Sequence, residues 1–285
     1  MSLGVLTLPT HAQIDETRKD IQLNTYPKYP GPEESVRIDA QSFSFNMPAT
    51  PFTWLVDGVV KESGIGKTSF SFTTKKVGVS TRVTVKALPT GGIPYENSIV
   101  ITPSHIDVAW HTNSFVPPWY RGKALPARGS LVTVTALPVL MYRGSIVNPS
   151  SLVYDWWLDE TLLKNKSGRG KISLTLLVTS NEGITHRVRV HVEDAGSGIA
   201  QEKSVEIPVQ KPKLLFYELD PLRGPRTGEA IRNTFTLAAG SEAQFFSVPY
   251  YISNIPRSFQ HTWNIGNTNL NTAGDTDPTT LTYRA

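Results

Sequence analysis

One constellation returns along this chain at nearly constant intervals. Trp54 stands in "PFTWLVDG", Trp156 in "LVYDWWLDE" and Trp263 in "SFQHTWNIGN", 102 and 107 residues apart. Three residues after the first two come Asp57 and Asp159, then the strings "SGIGK" (Ser63 to Lys67) and "SGRGK" (Ser167 to Lys171), 104 residues apart. A compound signal at even spacing is what tandem domains of one kind produce. Each Gly-rich string leads into alternation. In the first copy this is "TSFSFTT" (Thr68 to Thr74) and "STRVTVKAL" (Ser80 to Leu88). In the second it is "ISLTLLV" (Ile172 to Val178) and "THRVRVHVED" (Thr185 to Asp194). Period-2 alternation predicts strands with one buried face.

The parallel extends upstream. "DIQLNTY" (Asp20 to Tyr26), "HIDVAWH" (His105 to His111) and "KLLFYEL" (Lys213 to Leu219) each precede a segment rich in Pro, Gly and basic residues. "ESVRIDA" (Glu34 to Ala40), "SLVTVTA" (Ser130 to Ala136) and "EAQFFSV" (Glu242 to Val248) follow it. "YENSIVIT" (Tyr95 to Thr102) and "QEKSVEIPV" (Gln201 to Val209) close the first two units. Six or seven short strands per unit, without an amphipathic helix, predict an all-β chain of tandem immunoglobulin-like antiparallel β-sandwich domains. The expected divisions are 1–17 as a leader remnant or disordered start, sandwiches at 18–103 and 104–211, and a partial sandwich at 212–285. Trp54 is followed by 48 residues up to Thr102, whereas Trp263 is followed by 22 up to Ala285. The third domain is therefore expected to be incomplete, the least stable third, and open to strand complementation by another chain.

"FTWLVDG" (Phe52 to Gly58), "VYDWWLDE" (Val153 to Glu160) and "VGVSTRVTVKA" (Val77 to Ala87) carry a resemblance. The chain resembles immunoglobulin-like and polycystic-kidney-disease-type (PKD) repeats of bacterial surface proteins over nearly all of 18–211. The family's Gly-Asp-Gly turn is reduced to Asp57-Gly58 and Asp159-Glu160, and the third copy has Gly266-Asn267. The resemblance implies a spacer or adhesion module without chemistry of its own.

Several function classes can be set aside. "SGIGKTS" (Ser63 to Ser69) reads like the end of a phosphate-binding loop, yet Lys61 stands where the loop's first glycine belongs and strand-like residues follow Lys67. A phosphate cradle needs backbone N–H groups wrapped by glycines and a helix N-terminus behind them. The plainer reading is a Gly-rich hairpin or inter-strand loop. A net charge of +4 (28 Lys+Arg, 24 Asp+Glu) is too small and too dispersed for a nucleic-acid footprint. The run Arg187-Val-Arg189-Val-His191 alternates as a solvated strand face does. No cysteine is present, which removes disulfides, thiolate metal sites and thiol nucleophiles. Six histidines are scattered, and His186 and His191 fall on opposite faces of one strand, so they share no metal. A Ser-His-Asp triad assembles only in a fold, and no G-x-S-x-G elbow announces one.

Two features remain as candidates. Asp275 and Asp277 in "AGDTDP" have the alternate spacing of calcium ligands, although a turn is the favoured reading. "SFVPPWYRGKALPARG" (Ser114 to Gly129) combines Phe115, Trp119, Tyr120, Arg121 and Lys123 on a Pro-stiffened loop able to stack on a sugar or grip a partner. The preferred reading is that its aromatics plug the joint between domains one and two. "YPKYPG" (Tyr26 to Gly31) and "DPLRGPRTG" (Asp220 to Gly228) occupy the same place in the other units, which favours a structural role.

At the start, "LGVLTLPTHAQ" (Leu3 to Gln13) reads as the tail of a signal peptide, and nothing later is long and apolar enough to span a bilayer as a helix. The expectation is a secreted or cell-surface, non-enzymatic repeat region without cofactor. It would act as a spacer or adhesion module meeting a protein or glycan. A carbohydrate-binding accessory region of a larger secreted enzyme is the alternative, and a hydrolase comes third.

Overall fold

The computed structural model describes residues 20–232, 234–253, 261–265, 267–270 and 279–285. The expectations placed on 1–17, on Asp275 and on Asp277 lie outside the described residues. Among those residues regular structure is strand, apart from single-turn 3-10 helices at Met47–Ala49 and Pro149–Ser151.

The first repeat is a seven-stranded sandwich. Its strands are β1 (Gln22–Tyr26), β2 (Ser35–Gln41), β3 (Pro51–Val56), β4 (Val59–Ile65), β5 (Ser69–Thr73), β6 (Thr81–Ala87) and β7 (Tyr95–Ile101). One sheet runs β1-β2-β5 and the other β4-β3-β6-β7, all pairs antiparallel. Alternation decides what lies between them. Val36, Ile38 and Ala40 of β2 are buried while their neighbours are not, and Val83, Val85 and Ala87 of β6 meet them from the other sheet with Phe52 and Trp54. β-Branched residues on a half-buried pleated surface pack well against facing neighbours.

The second repeat repeats the order. It contains β8 (His105–Thr112), β9 (Leu131–Val139), a hairpin of β10 (Met141–Tyr142) and β11 (Ser145–Ile146), then β12 (Val153–Leu158), β13 (Thr161–Leu162), β14 (Gly168–Arg169), β15 (Ser173–Leu177), β16 (Thr185–Asp194) and β17 (Ile199–Pro208). The sheets are β15-β9-β8 and β13-β12-β16-β17, with β14 also pairing β12. Val188, Val190 and Val192 of β16 are buried beside Tyr154 and Trp156.

The third repeat departs from the other two. β18 (Lys213–Asp220), β19 (Gly224–Pro225), β20 (Glu242–Tyr250) and β23 (Thr280–Arg284) form a sheet in the order β19-β18-β20-β23, while among the described residues β21 (Trp263–Ile265) and β22 (Thr268–Leu270) form a separate two-stranded pair. Trp263 is half-buried against Phe216 at 5.5 Å, whereas Trp54 and Trp156 are fully buried. The core here is built on Tyr217, Val248, Tyr250 and Tyr251 instead.

The chain divides into two compact units. Of the described residues, one holds those up to His105 with Pro138–Asn148 and Glu193–Gln201; the other holds Ile106–Leu137, Pro149–Val192 and those from Glu202 onward. Inside the first unit, buried Gln201 donates from Nε2 to the carbonyls of Pro30 (3.0 Å) and Ser104 (2.9 Å). That single amide satisfies two backbone acceptors which burial would otherwise leave costly.

Candidate functional site: the repeat signature and the aromatic loop

The recurrent residues meet in space as well as in sequence. Trp54 lies between the sheets of the first repeat and its indole N–H donates to the Lys67 carbonyl at 2.8 Å; Trp156 donates to the Lys171 carbonyl at the same distance. A buried indole needs one acceptor, and the Gly-Lys turn supplies it. In each string the second glycine, Gly66 or Gly170, has φ +70 and donates its N–H to Thr50 O or Leu152 O at 2.9 Å. Lys67 itself reaches Glu62 at 2.8 Å. The string is thus a strand end plus a turn rather than a loop throughout: Ser63, Gly64 and Ile65 lie on β4, paired with β3. In the second repeat only Gly168 and Arg169 pair, and the Ser167 hydroxyl takes the Trp156 backbone N–H (2.9 Å) in place of a longer ladder.

The aspartate three residues after each tryptophan brackets the facing strand. Asp57 donates its N–H to Arg82 O (2.8 Å) and accepts the Arg82 N–H on Oδ1 (2.9 Å); Asp159 does the same with Arg187, both bonds at 3.0 Å. Both aspartates are left-handed, φ 50 and 47, a conformation Asp tolerates better than most residues. Their second carboxylate oxygens differ in partner. Asp57 Oδ2 meets the Lys75 ammonium at 2.8 Å, and Asp159 Oδ2 meets His186 Nδ1 at 2.6 Å.

The Lys75 ammonium, with the Arg82 N–H, holds the Asp57 carboxyl below its ordinary 3.8. A folded-state value below the unfolded one stabilises the fold above the unfolded value, and that stabilisation is lost as pH falls through the folded value. The melting-temperature difference between wild type and Asp57→Asn should therefore be constant above about pH 5 and shrink below about pH 4. An undiminished difference at pH 2.5 would contradict the assignment.

The aromatic loop is a joint, but with a different partner from the one expected. Phe115 bonds the C-terminal repeat through its backbone, its N–H to Ile252 O and its carbonyl to the Tyr251 N–H, both 2.8 Å. Trp119 meets Tyr217 edge-on at 6.4 Å and Phe246 at 6.5 Å, and Tyr120 meets Tyr250 and Tyr251 edge-on at 5.6 and 6.0 Å. The loop therefore seals against β18 and β20 rather than plugging the joint between repeats one and two. Alternation alone cannot say which neighbour a Pro-rich loop will fold onto. The hidden signal was the aromatic density of "SVPYY" (Ser247 to Tyr251), which supplies the facing rings.

Two phenol pairs finish the contact, Tyr120 to Tyr251 at 2.6 Å and Tyr217 to Tyr250 at 2.7 Å. Burial pushes Tyr217 and Tyr251 up to about 12, so these hydroxyls stay protonated and hydrogen-bonded at neutral pH. Lys123 places its ammonium 3.3 Å from the centre of the Trp110 ring, and burial lowers its pKa. What remains open is a cleft of about 300 Å³ bounded by Trp119, Tyr120, Arg121, Lys213, Tyr217 and Tyr250, with Trp119 36% exposed. Of the candidates, Trp119, Tyr120 and Arg121 come together at it, while Phe115 serves the backbone bridge and Lys123 sits on Trp110.

No family model matches the chain, and no curated protein matches it. Among solved structures it is similar to the fibronectin(III)-like modules of Clostridium thermocellum CbhA, at 15% identity over 66% of this chain and 94% of theirs, TM-score 0.30. It is also similar to the three N-terminal domains of the Highly Immunogenic Outer Capsid protein of bacteriophage RB49, at 13% identity over 81% and 67% of the two chains, TM-score 0.27. A third similarity is to the central fibronectin-III array of RIM-binding protein, at 11% identity over 79% and 77%, TM-score 0.23. The fold itself is carried by the strand order and registers of this chain.

Proposed function

We propose that the chain is a tandem β-sandwich region of a secreted or cell-envelope protein, acting as a spacer and adhesion module toward a protein or glycan at the cell surface. One observation carries the reading: the recurrent polar groups are consumed by the fold. The indoles are bonded to Lys carbonyls, the first Asp of each turn grips the facing strand, and the Gly-rich strings close turns. Repetition here serves architecture, as a module built for reach requires. The resemblance of Phe52 to Gly58 and of Val153 to Glu160 to PKD-type repeats of bacterial surface proteins supports the same reading. Small-angle scattering of the whole chain should give an elongated, rigid particle, and a compact or freely jointed one would overturn the spacer role.

A second reading, carbohydrate binding, is favoured by the cleft at Trp119. An accessible indole edged by Arg121 and Lys213 offers a stacking face and two cations to a sugar, with an acidic glycan the best match. On a glycan array the wild type should then retain at least one ligand that Arg121→Ala weakens and Trp119→Ala abolishes, with folding of both variants checked by circular dichroism. Binding that survives both substitutions would place the ligand elsewhere.

A further inference from the structure

The turn at Asp159 holds more than its bracing requires. In the first repeat the outward oxygen of the matching aspartate is satisfied by a lysine, Lys75, and the position before the bracketing arginine is Thr81. In the second repeat that position is His186, whose Nδ1 lies 2.6 Å from Asp159 Oδ2 and whose Nε2 lies 2.6 Å from the Ser180 hydroxyl. An ionised carboxylate only accepts, so Nδ1 donates to Asp159; with the ring's single proton held there, Nε2 is the acceptor to which the Ser180 hydroxyl donates. Asp159 is kept ionised: burial raises its pKa, but the Arg187 N–H and His186 together outweigh this and lower it. This tautomer and this order of contacts turn a serine into a nucleophile.

The surroundings leave that serine reachable. Ser180 is half-buried, and Asn181, Glu182 and Gly183 after it are exposed. Arg128 donates to Asn181 Oδ1 at 3.1 Å, adding a cation beside the same segment.

We propose that Ser180, with His186 as base and Asp159 as its orienting partner, is an acyl-accepting nucleophile toward small activated esters. The site goes beyond the spacer reading and does not depend on it. Ser180 Oγ bonds the acyl carbon as the hydroxyl proton passes to His186 Nε2. The bond to the leaving alkoxide breaks and His186 returns the proton to that oxygen. Water, deprotonated by the same nitrogen, then hydrolyses the acyl-serine and regenerates the hydroxyl.

The test treats the whole chain with a rhodamine-linked fluorophosphonate, in which Ser180 Oγ displaces fluoride at phosphorus. The expected result is an adduct mapped by peptide mass to Ser180, absent in Ser180→Ala and formed about 100-fold more slowly or worse in His186→Gln. Protein unfolded in urea should not react, since the arrangement exists only in the fold. p-Nitrophenyl acetate should show a burst of nitrophenolate that both variants lose. Absence of an adduct at Ser180, or equal labelling of the unfolded chain, overturns the proposal even if His186→Gln proves unstable. Neither result bears on the scattering that tests the spacer role.

Discussion

Replacing Trp156 with alanine should cost the second repeat about 3–5 kcal/mol, a large share of the stability of an ordinary domain. The side chain is fully buried, and its removal leaves a cavity between the sheets that the packed residues around it can fill only in part. The loss has two parts that a second variant separates. Trp156→Phe keeps most of the ring but removes the indole N–H, so the Lys171 carbonyl at 2.8 Å loses its donor. An unsatisfied acceptor and a small cavity together should cost about 2 kcal/mol. Chemical denaturation followed by circular dichroism would show an early transition in Trp156→Ala with the later transition of the first repeat retained. Equal midpoints for wild type and Trp156→Ala would show that the tryptophan does not hold the sheets together. Any loss of partner binding in this variant should follow its unfolding curve, because the indole faces the core and reaches no partner.

The strands written most plainly in the sequence are those with one buried face. "ESVRIDA" became β2 (Ser35–Gln41) and "THRVRVHVED" became β16 (Thr185–Asp194), since a period of two is written directly into the residues that alternate between core and solvent. One edge strand lacks that signature altogether. β4 (Val59–Ile65) has no buried residue, and Val59, Val60 and Ile65 are all exposed, so only its hydrogen bonds to β3 define it. The hairpin β10 and β11 is two residues on each side and was invisible for the same reason. The site was legible in proportion to how local it is. Trp119, Tyr120 and Arg121 are neighbours in sequence and could be read as a group, but the rings they meet, Tyr217 and Tyr250, lie about a hundred or more residues away. Asp159, Ser180 and His186 come from three different turns and strands, and no spacing rule joins them before the sheet does.

The glycines of the repeated strings offer the sharper test of what the repetition is for. Gly66→Ala should destabilise the first repeat by about 2–3 kcal/mol, and Gly170→Ala the second by less, about 1–2 kcal/mol. Both residues have φ +70, where any L side chain is strained, so this part of the cost is common to the two. The difference lies in what a methyl group would touch. At Gly66 it would stand 2.9 Å from the Pro48 carbonyl oxygen and at Gly170 3.1 Å from that of Ser150, each in the 3-10 turn ahead of the tryptophan strand. Neither oxygen sits on a flexible side chain, so the first repeat has to shift backbone, while the second has only to yield by a few tenths of an ångström. Displacing that turn moves the Lys carbonyl away from the indole, so the glycine and the tryptophan should fail together. In a double-mutant cycle, Gly66→Ala and Trp54→Phe should cost less combined than the sum of the two, because the first has already weakened the bond that the second removes. Strict additivity would mean that the turn and the tryptophan stabilise the sandwich independently, and that the recurrence of the string after each tryptophan reflects the turn alone.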